Sequence, residues 1–264
     1  MADETTMAGA VSSPALRGAR AAFVFMTRLP LGGFPYRERD FAWAPAYFPV
    51  VGAVVGGLSA LMFLAARGLG ATVAATLAVC ASVALTGAFH EDGLADTADA
   101  LGGTHGGKAM LEILKDSRIG SYAGVVLFGS LMLRVSTLAE LDEAWCLVVA
   151  GCVARTGPVW LIARMPYLNL AMAKGRGVAG AGMTQALVAT GWTLVIGAGL
   201  TVTGVLSVPA TVGAIASGLA SAALLGGWFL VRAGGITGDF LGAAEQVGEV
   251  VVLLTLLAVA RAGI

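Results

Sequence analysis

Seven apolar stretches of about twenty residues run through this chain: 46–66, 70–90, 119–140, 144–165, 190–208, 210–231 and 241–262. A helix needs about 20 mostly apolar residues to cross the ~30 Å hydrocarbon core of a bilayer. Backbone groups inside that core must pair internally, which favours helices. Composition closes off the soluble alternative. Charged residues are 12% of the 264 and hydrophobic ones 58%, with a mean hydropathy of +0.86. A typical globular chain carries about 25% charge. Disorder, collagen-like repeats and coiled coils are excluded by the same composition. The 38 glycines suit closely packed membrane helices. Sixteen basic residues balance sixteen acidic ones, so no nucleic acid is implied as a partner. The expectation is an all-α, polytopic integral membrane protein whose main partner is the lipid bilayer. A segment over 1–45 precedes a single helical domain over 46–264.

Several boundaries stay open. Ser207-Val208-Pro209 either separates two spans or bends one broken hairpin within 190–231. The opening Met1-Ala2-Asp3-Glu4 is acidic, and Arg17 and Arg20 interrupt the apolar run that a signal peptide would need. Ala15 to Met26 reads as an interfacial helix with Phe23, Phe25 and Met26 toward lipid. Cys80, Cys146 and Cys152 lack a Cys-x-x-Cys spacing and read as apolar packing residues. Gly52-x-x-x-Gly56 and Gly120-x-x-x-Gly124 read as close helix contacts.

The basic residues orient the chain. Arg17, Arg20, Arg28, Arg37 and Arg39 precede the first span, and Lys108, Lys115 and Arg118 follow the second. Lys174 and Arg176, beside Arg164, follow the fourth, and Arg232 follows the sixth. The opposite connections hold Arg67 with Glu140, Asp142 and Glu143. Cytoplasmic loops carry the excess of Lys and Arg, so the N-terminus and the long loops are expected in the cytoplasm of a multi-pass inner-membrane protein.

The stretch with the most chemistry is Phe89-His-Glu-Asp-Gly-Leu-Ala-Asp-Thr-Ala-Asp99. Asp92, Asp96 and Asp99 recur at i, i+4 and i+7, within about 60° of one helix face. Carboxylates stacked in this way repel unless a cation lies among them. Oxygen ligands favour Mg²⁺, Mn²⁺ or Ca²⁺, and Mg²⁺ leaves positions for water or substrate phosphate. The ordinary alternative is a solvated acidic face near a helix start, but no Lys or Arg at helical spacing compensates it. His90 is a general base, a ligand or a hydrogen-bonded residue at the membrane border. Glu91, about 100° from Asp92, is a weaker metal-ligand candidate. His105 in its Gly-rich loop reads as a loop residue without Walker spacing.

Lys115-Asp116-Ser117-Arg118 opens the third span, where two cations and first-turn amides suit a phosphate. A positive-inside anchor is the plainer reading. Arg232, Asp239, Glu245 and Glu249 flank or enter the last span, and Arg155 lies in the middle of the fourth. Charges at such depth are functional candidates by default. Arg155 and Glu249 lie at matching depths and are expected to pair, or to share one network. Arg134 is expected to snorkel toward its helix end.

Three motifs carry a resemblance: Phe-His-Glu-Asp-Gly-Leu-Ala-Asp-Thr-Ala-Asp (89–99), Lys-Asp-Ser-Arg-Ile-Gly-Ser-Tyr (115–122) and Gly-Gly-Ile-Thr-Gly-Asp-Phe-Leu-Gly-Ala (234–243). With Phe25-Met-Thr-Arg-Leu-Pro30, they make the chain similar to the cobalamin synthase family, the adenosylcobinamide-GDP ribazoletransferases or cobalamin-5′-phosphate synthases. The resemblance runs from about Phe25 to Glu249. Glu91, Ala100 and Ala123 depart from the family's usual residues, and Glu245-Gln246 shifts a carboxylate by one position, which favours Glu249.

The resemblance implies a transfer in the last steps of cobalamin (vitamin B12) biosynthesis. The 3′-hydroxyl of α-ribazole, or of its 5′-phosphate, attacks adenosylcobinamide-GDP and GMP leaves. Asp92, Asp96 and Asp99, with Glu91, would hold Mg²⁺. His90, Asp92 and Asp96 would be catalytic. Lys115, Asp116, Ser117, Arg118, Arg155, Arg232, Asp239 and Glu249 would bind substrate. A homo-oligomer, or association with other corrinoid-pathway enzymes, is compatible with this reading. Two rival readings need features of their own. A CDP-alcohol phosphotransferase needs Asp-Gly followed by Ala-Arg, where this chain has Leu94-Ala95-Asp96. A cation transporter needs carboxylates near the midplane of several helices.

Overall fold

The structure, a computed structural model, describes residues 14–31, 38–103, 108–114, 118–168 and 177–263. They form α1 (Pro14–Met26), α2 (Glu38–Trp43), α3 (Phe48–Ala66), α4 (Ala71–Thr86), α5 (Phe89–Gly102), α6 (Lys108–Ile113), α7 (Ser121–Leu141), α8 (Cys146–Arg164), α9 (Met183–Val202), α10 (Val208–Ala233) and α11 (Gly238–Ala262). Six segments are long and apolar enough to cross a membrane: Asp40–Leu69, α7, α8, α9, α10 and α11. α4 and α5 pass the same test only as a pair bent by 90°. The expected span over 70–90 therefore ends early. Gly87 (φ 67°) and Ala88 (φ 58°) are both left-handed, a conformation that ends helices. His90 thus begins a new helix instead of closing a span.

Residues 183–233 form two helices rather than one broken hairpin. Ser207 starts the second by accepting a hydrogen bond from the Ala210 amide (3.2 Å), with Pro209 in the first turn, where its missing N–H costs nothing.

α8 is the central post. Its apolar window is 83% buried, against 22% for α7 and α9 and 28% for α10, which leaves those three to face lipid. α3 meets α8 at the backbone. A Cβ on Gly52 would collide with the Gly151 carbonyl, and one on Gly56 with that of Leu147, as small-residue membrane packing requires. Gly124 has open space around it, so the second glycine pair is not a contact of this kind. Cys146 and Cys152 are buried, whereas Cys80 faces outward from α4.

α1 corrects the lipid-facing expectation. Met26 is buried, and Phe23 and Phe25 pack on the core. Phe25 stacks on Phe48 (centroids 6.0 Å) and meets Phe89 edge-on (5.3 Å). Phe89 at the start of α5 gives this apolar face a protein surface to cover. At the far end of the bundle, Arg67 pairs with Asp142 (2.6 Å) and Arg261 with Glu140 (2.8 Å). The isolated arginine and the acidic cluster of that side therefore meet.

Candidate active site

α5 is set at a corner held by Arg28 and Arg232. The Arg28 amide donates to the Leu85 carbonyl at the end of α4 (2.7 Å). The Arg28 guanidinium packs on Gly87, where a Cβ would collide with it. Arg232 Nη2, at the end of α10, donates to the carbonyls of Leu101 (3.2 Å) and Gly103 (3.4 Å), and a cation there suits the helix C-terminus. Arg232 thus holds α5 itself.

The i, i+4, i+7 spacing does split the helix. His90, Glu91, Leu94, Thr97 and Leu101 are buried, while Asp92 is exposed and Asp96 and Asp99 are half-buried. The three aspartates then part company. Asp99 accepts from the amides of Gly120 (2.6 Å) and Ala123 (3.0 Å), so it caps α7. The carboxylates of Asp92 and Asp96 have no hydrogen-bond partner among the described residues.

Asp239 joins them from α11. The helices cross at backbone contact: a Cβ on Gly93 would lie 2.8 Å from the Asp239 carbonyl oxygen and 3.2 Å from Gly242 Cα. α11 begins there because Thr237 Oγ1 accepts from the Phe240 amide (3.2 Å). α5 lies outside the six spanning segments. Partial burial, and then the charges of Asp92, Asp239 and Asp99, raise its Asp96 carboxyl to about 6. Tyr167, in the loop after α8, is raised to about 12 by burial and the charge of Asp239. Tyr167 had no signal in the sequence. It reaches this place through the backbone pairing of 166–168 with Ile236.

The residues fit a divalent cation held by two carboxylates, the usual number for Mg²⁺. Among the described residues, no three His, Cys, Asp or Glu side chains form a metal-ligating group. Glu91 and Asp99 are committed elsewhere. Arg118 is exposed just before α7, whereas Lys115, Asp116, Ser117 and His105 lie outside the described residues.

Beneath this surface lies a second cluster. Arg134 is 1% exposed and does not snorkel. It lies on the inward stripe of α7 with Ala123, Thr137 and Leu138. It pairs with Glu91 (3.0 Å) and Glu249 (2.9 Å). Arg155, 2% exposed, pairs with Glu245 (2.8 Å), not with Glu249 as expected. Glu249 lies one turn deeper, about 5.4 Å further along α11, where α7 supplies the cation. The shared network does exist. Gln246 donates to Glu245 (3.0 Å) and accepts from Arg134 (3.3 Å), which links both pairs. His90 is buried with Nδ1 3.9 Å from Glu245 Oε2, and neither of its nitrogens has a hydrogen-bond partner.

A profile of the cobalamin-5-phosphate synthase family matches residues 18–257. The chain belongs to that family. A similar synthase-family relative is an adenosylcobinamide-GDP ribazoletransferase of Leptothrix cholodnii, 39% identical over 90% of this chain and 93% of its own. Proteins of the same name from Bradyrhizobium diazoefficiens (38%; 89% and 91%) and Shewanella amazonensis (36%; 89% and 93%) are also similar. No solved structure matches. Asp92, Asp96, Asp239, Glu245 and Glu249 all fall inside the matched region.

Proposed function

We propose that the chain is an adenosylcobinamide-GDP ribazoletransferase. It would join α-ribazole, or its 5′-phosphate, to adenosylcobinamide-GDP with release of GMP, giving adenosylcobalamin or its 5′-phosphate. The observation that carries the reading is the backbone contact of α5 with α11 at Gly93, which sets the Asp92–Asp96 helix beside Asp239. Family membership supplies the substrates.

The chemistry follows from those groups. The ribazole hydroxyl oxygen forms a bond to the cobinamide-linked phosphorus, and the bond from that phosphorus to the GMP oxygen breaks. Transfers of this kind depend on positioning and charge neutralisation. Asp92 and Asp96 would hold Mg²⁺, which when bound supplies charge neutralisation at the phosphates. Arg118, with Lys115 and Ser117, would take up phosphate oxygens. Because His90 is enclosed, the hydroxyl proton falls to an exposed aspartate at the surface. Tyr167 would orient Asp239. The basic-loop bias supports a cytoplasmic site in the inner membrane. In the transporter reading, open carboxylates are needed at mid-depth. Here Glu91 and Glu249 share Arg134, and Glu245 pairs with Arg155.

The test uses purified protein in detergent with adenosylcobinamide-GDP, α-ribazole and Mg²⁺. The expected result is stoichiometric GMP and adenosylcobalamin. Absence of both products from well-folded protein at any Mg²⁺ concentration would overturn the assignment.

A further inference from the structure

Five ionic residues, Glu91, Arg134, Arg155, Glu245 and Glu249, are buried within the helices beneath the aspartates. Buried ion pairs are weak stabilisers, because desolvation offsets attraction and apolar replacements often fold as well. Stability alone does not account for them. The position of Arg134 does. Its Nη1 donates to Glu91 Oε1 (3.0 Å) and Gln246 Oε1 (3.3 Å), and its Nη2 to Glu249 Oε1 (2.9 Å) and Ser82 Oγ (3.3 Å). One guanidinium from α7 thus grips α4, α5 and α11 together. Glu91 is the residue next to Asp92, and the α5 backbone touches α11 at Gly93, one position further on.

That geometry fixes the rotation of α5 about its own axis. Carboxylates project to about 5–6 Å from a helix axis, so a 20° roll would carry Asp92 and Asp96 roughly 2 Å sideways. A misplacement of about 1 Å costs on the order of 100-fold in rate. We infer that Arg134 is a positioning residue, whose forked grip on Glu91, Gln246 and Glu249 aims the Asp92–Asp96 face of α5 at Asp239. The inference deepens the proposed transferase reading and rests on it for the role of the aspartates. Arg155 and Glu245 make the parallel tie from α8 to α11, but they form no hydrogen bond to α5, where His90 lies 3.9 Å from Glu245 without one.

The deciding variant is Arg134→Lys, which keeps the charge and loses the fork. We expect kcat to fall 10- to 100-fold, with KM for both substrates within about threefold of wild type. Mn²⁺ titrated alone and followed by paramagnetic resonance should bind about tenfold more weakly. A triple variant, Glu91→Gln with Arg134→Met and Glu249→Gln, removes the unpaired charges and should recover thermal stability while kcat stays low. Recovery of kcat together with stability would make the cluster structural only and overturn the inference. A normal kcat in Arg134→Lys would do the same, and that variant decides the matter if the triple variant does not fold.

A distance measurement separates this result from the fate of the transferase reading. Nitroxides placed by Ala98→Cys on α5 and Leu254→Cys on α11, in a background lacking the native cysteines, should give a shifted or broadened distance in Arg134→Lys. If wild type shows no transferase activity but the distance still changes, the transferase reading fails and the positioning survives. An unchanged distance overturns it.

Discussion

Asp99 and its two neighbours on α5 are the same residue type at helical spacing, and their surroundings give them different work. On the proposed metal-binding role, Asp92→Asn and Asp96→Asn should each lower kcat by on the order of 10²-fold or more, because several kcal/mol of charge neutralisation would go with a lost ligand. The melting temperature should stay close to wild type. Asp99→Ala should instead lose about 1 kcal/mol of stability, the usual value of a helix cap, with a smaller effect on kcat. Thermal melts beside turnover rates check both. A normal rate in Asp92→Asn and Asp96→Asn would remove them from the site, and an undisturbed melt in Asp99→Ala would remove it from the cap. The spacing in the sequence already showed which face these residues share. It groups Asp99 with the other two as a metal ligand, because the amides of Gly120 and Ala123 that Asp99 meets come from another helix. Arg134 departs from its expected place for a related reason. Nearness to a helix end suggested escape to water, but its place on the buried stripe of α7 decided otherwise.

At the scale of elements, the corner and the crossing around α5 are the sensitive points. Gly87→Ala places a side chain at φ 67°, at a cost of roughly 1–2 kcal/mol. Gly93→Ala would drive a methyl to 2.8 Å from the Asp239 carbonyl and should cost about 1–3 kcal/mol as overpacking. Gly93→Ala should also depress kcat, since α5 and α11 must separate, whereas a rate that is unchanged in a destabilised protein would detach the crossing from catalysis. The apolar runs made most spans legible, because membrane length is a demand on each helix separately. The break after Thr86 was hidden, since 70–90 is apolar throughout and only Gly87 marks the bend. Depth matching placed Arg155 and Glu249 in one network but gave the wrong partners. One turn of α11 decides between Glu245 and Glu249, and helix docking sets that turn, not composition.

For the whole molecule, Asp92, Asp96, Arg232 and Asp239 lie toward one end of the bundle, and the Arg67–Asp142 and Arg261–Glu140 pairs close the other. Single cysteines introduced within 100–112 and 172–182, with Cys80, Cys146 and Cys152 replaced, should react with an impermeant thiol reagent only from the cytoplasmic side. Labelling of both loops from outside would invert the molecule and its proposed substrate access. α5 turns 90° from α4 and is tied by Asp99 to α7, by Arg232 to α10 and by Gly93 to α11. Helices tilt to match the thickness of the bilayer around them, and these three ends cannot tilt independently without dragging α5. Acyl-chain length should then affect turnover. In liposomes of graded chain length, the rate should pass through a maximum at one thickness and fall on either side, as the membrane itself moves the aspartates in and out of register.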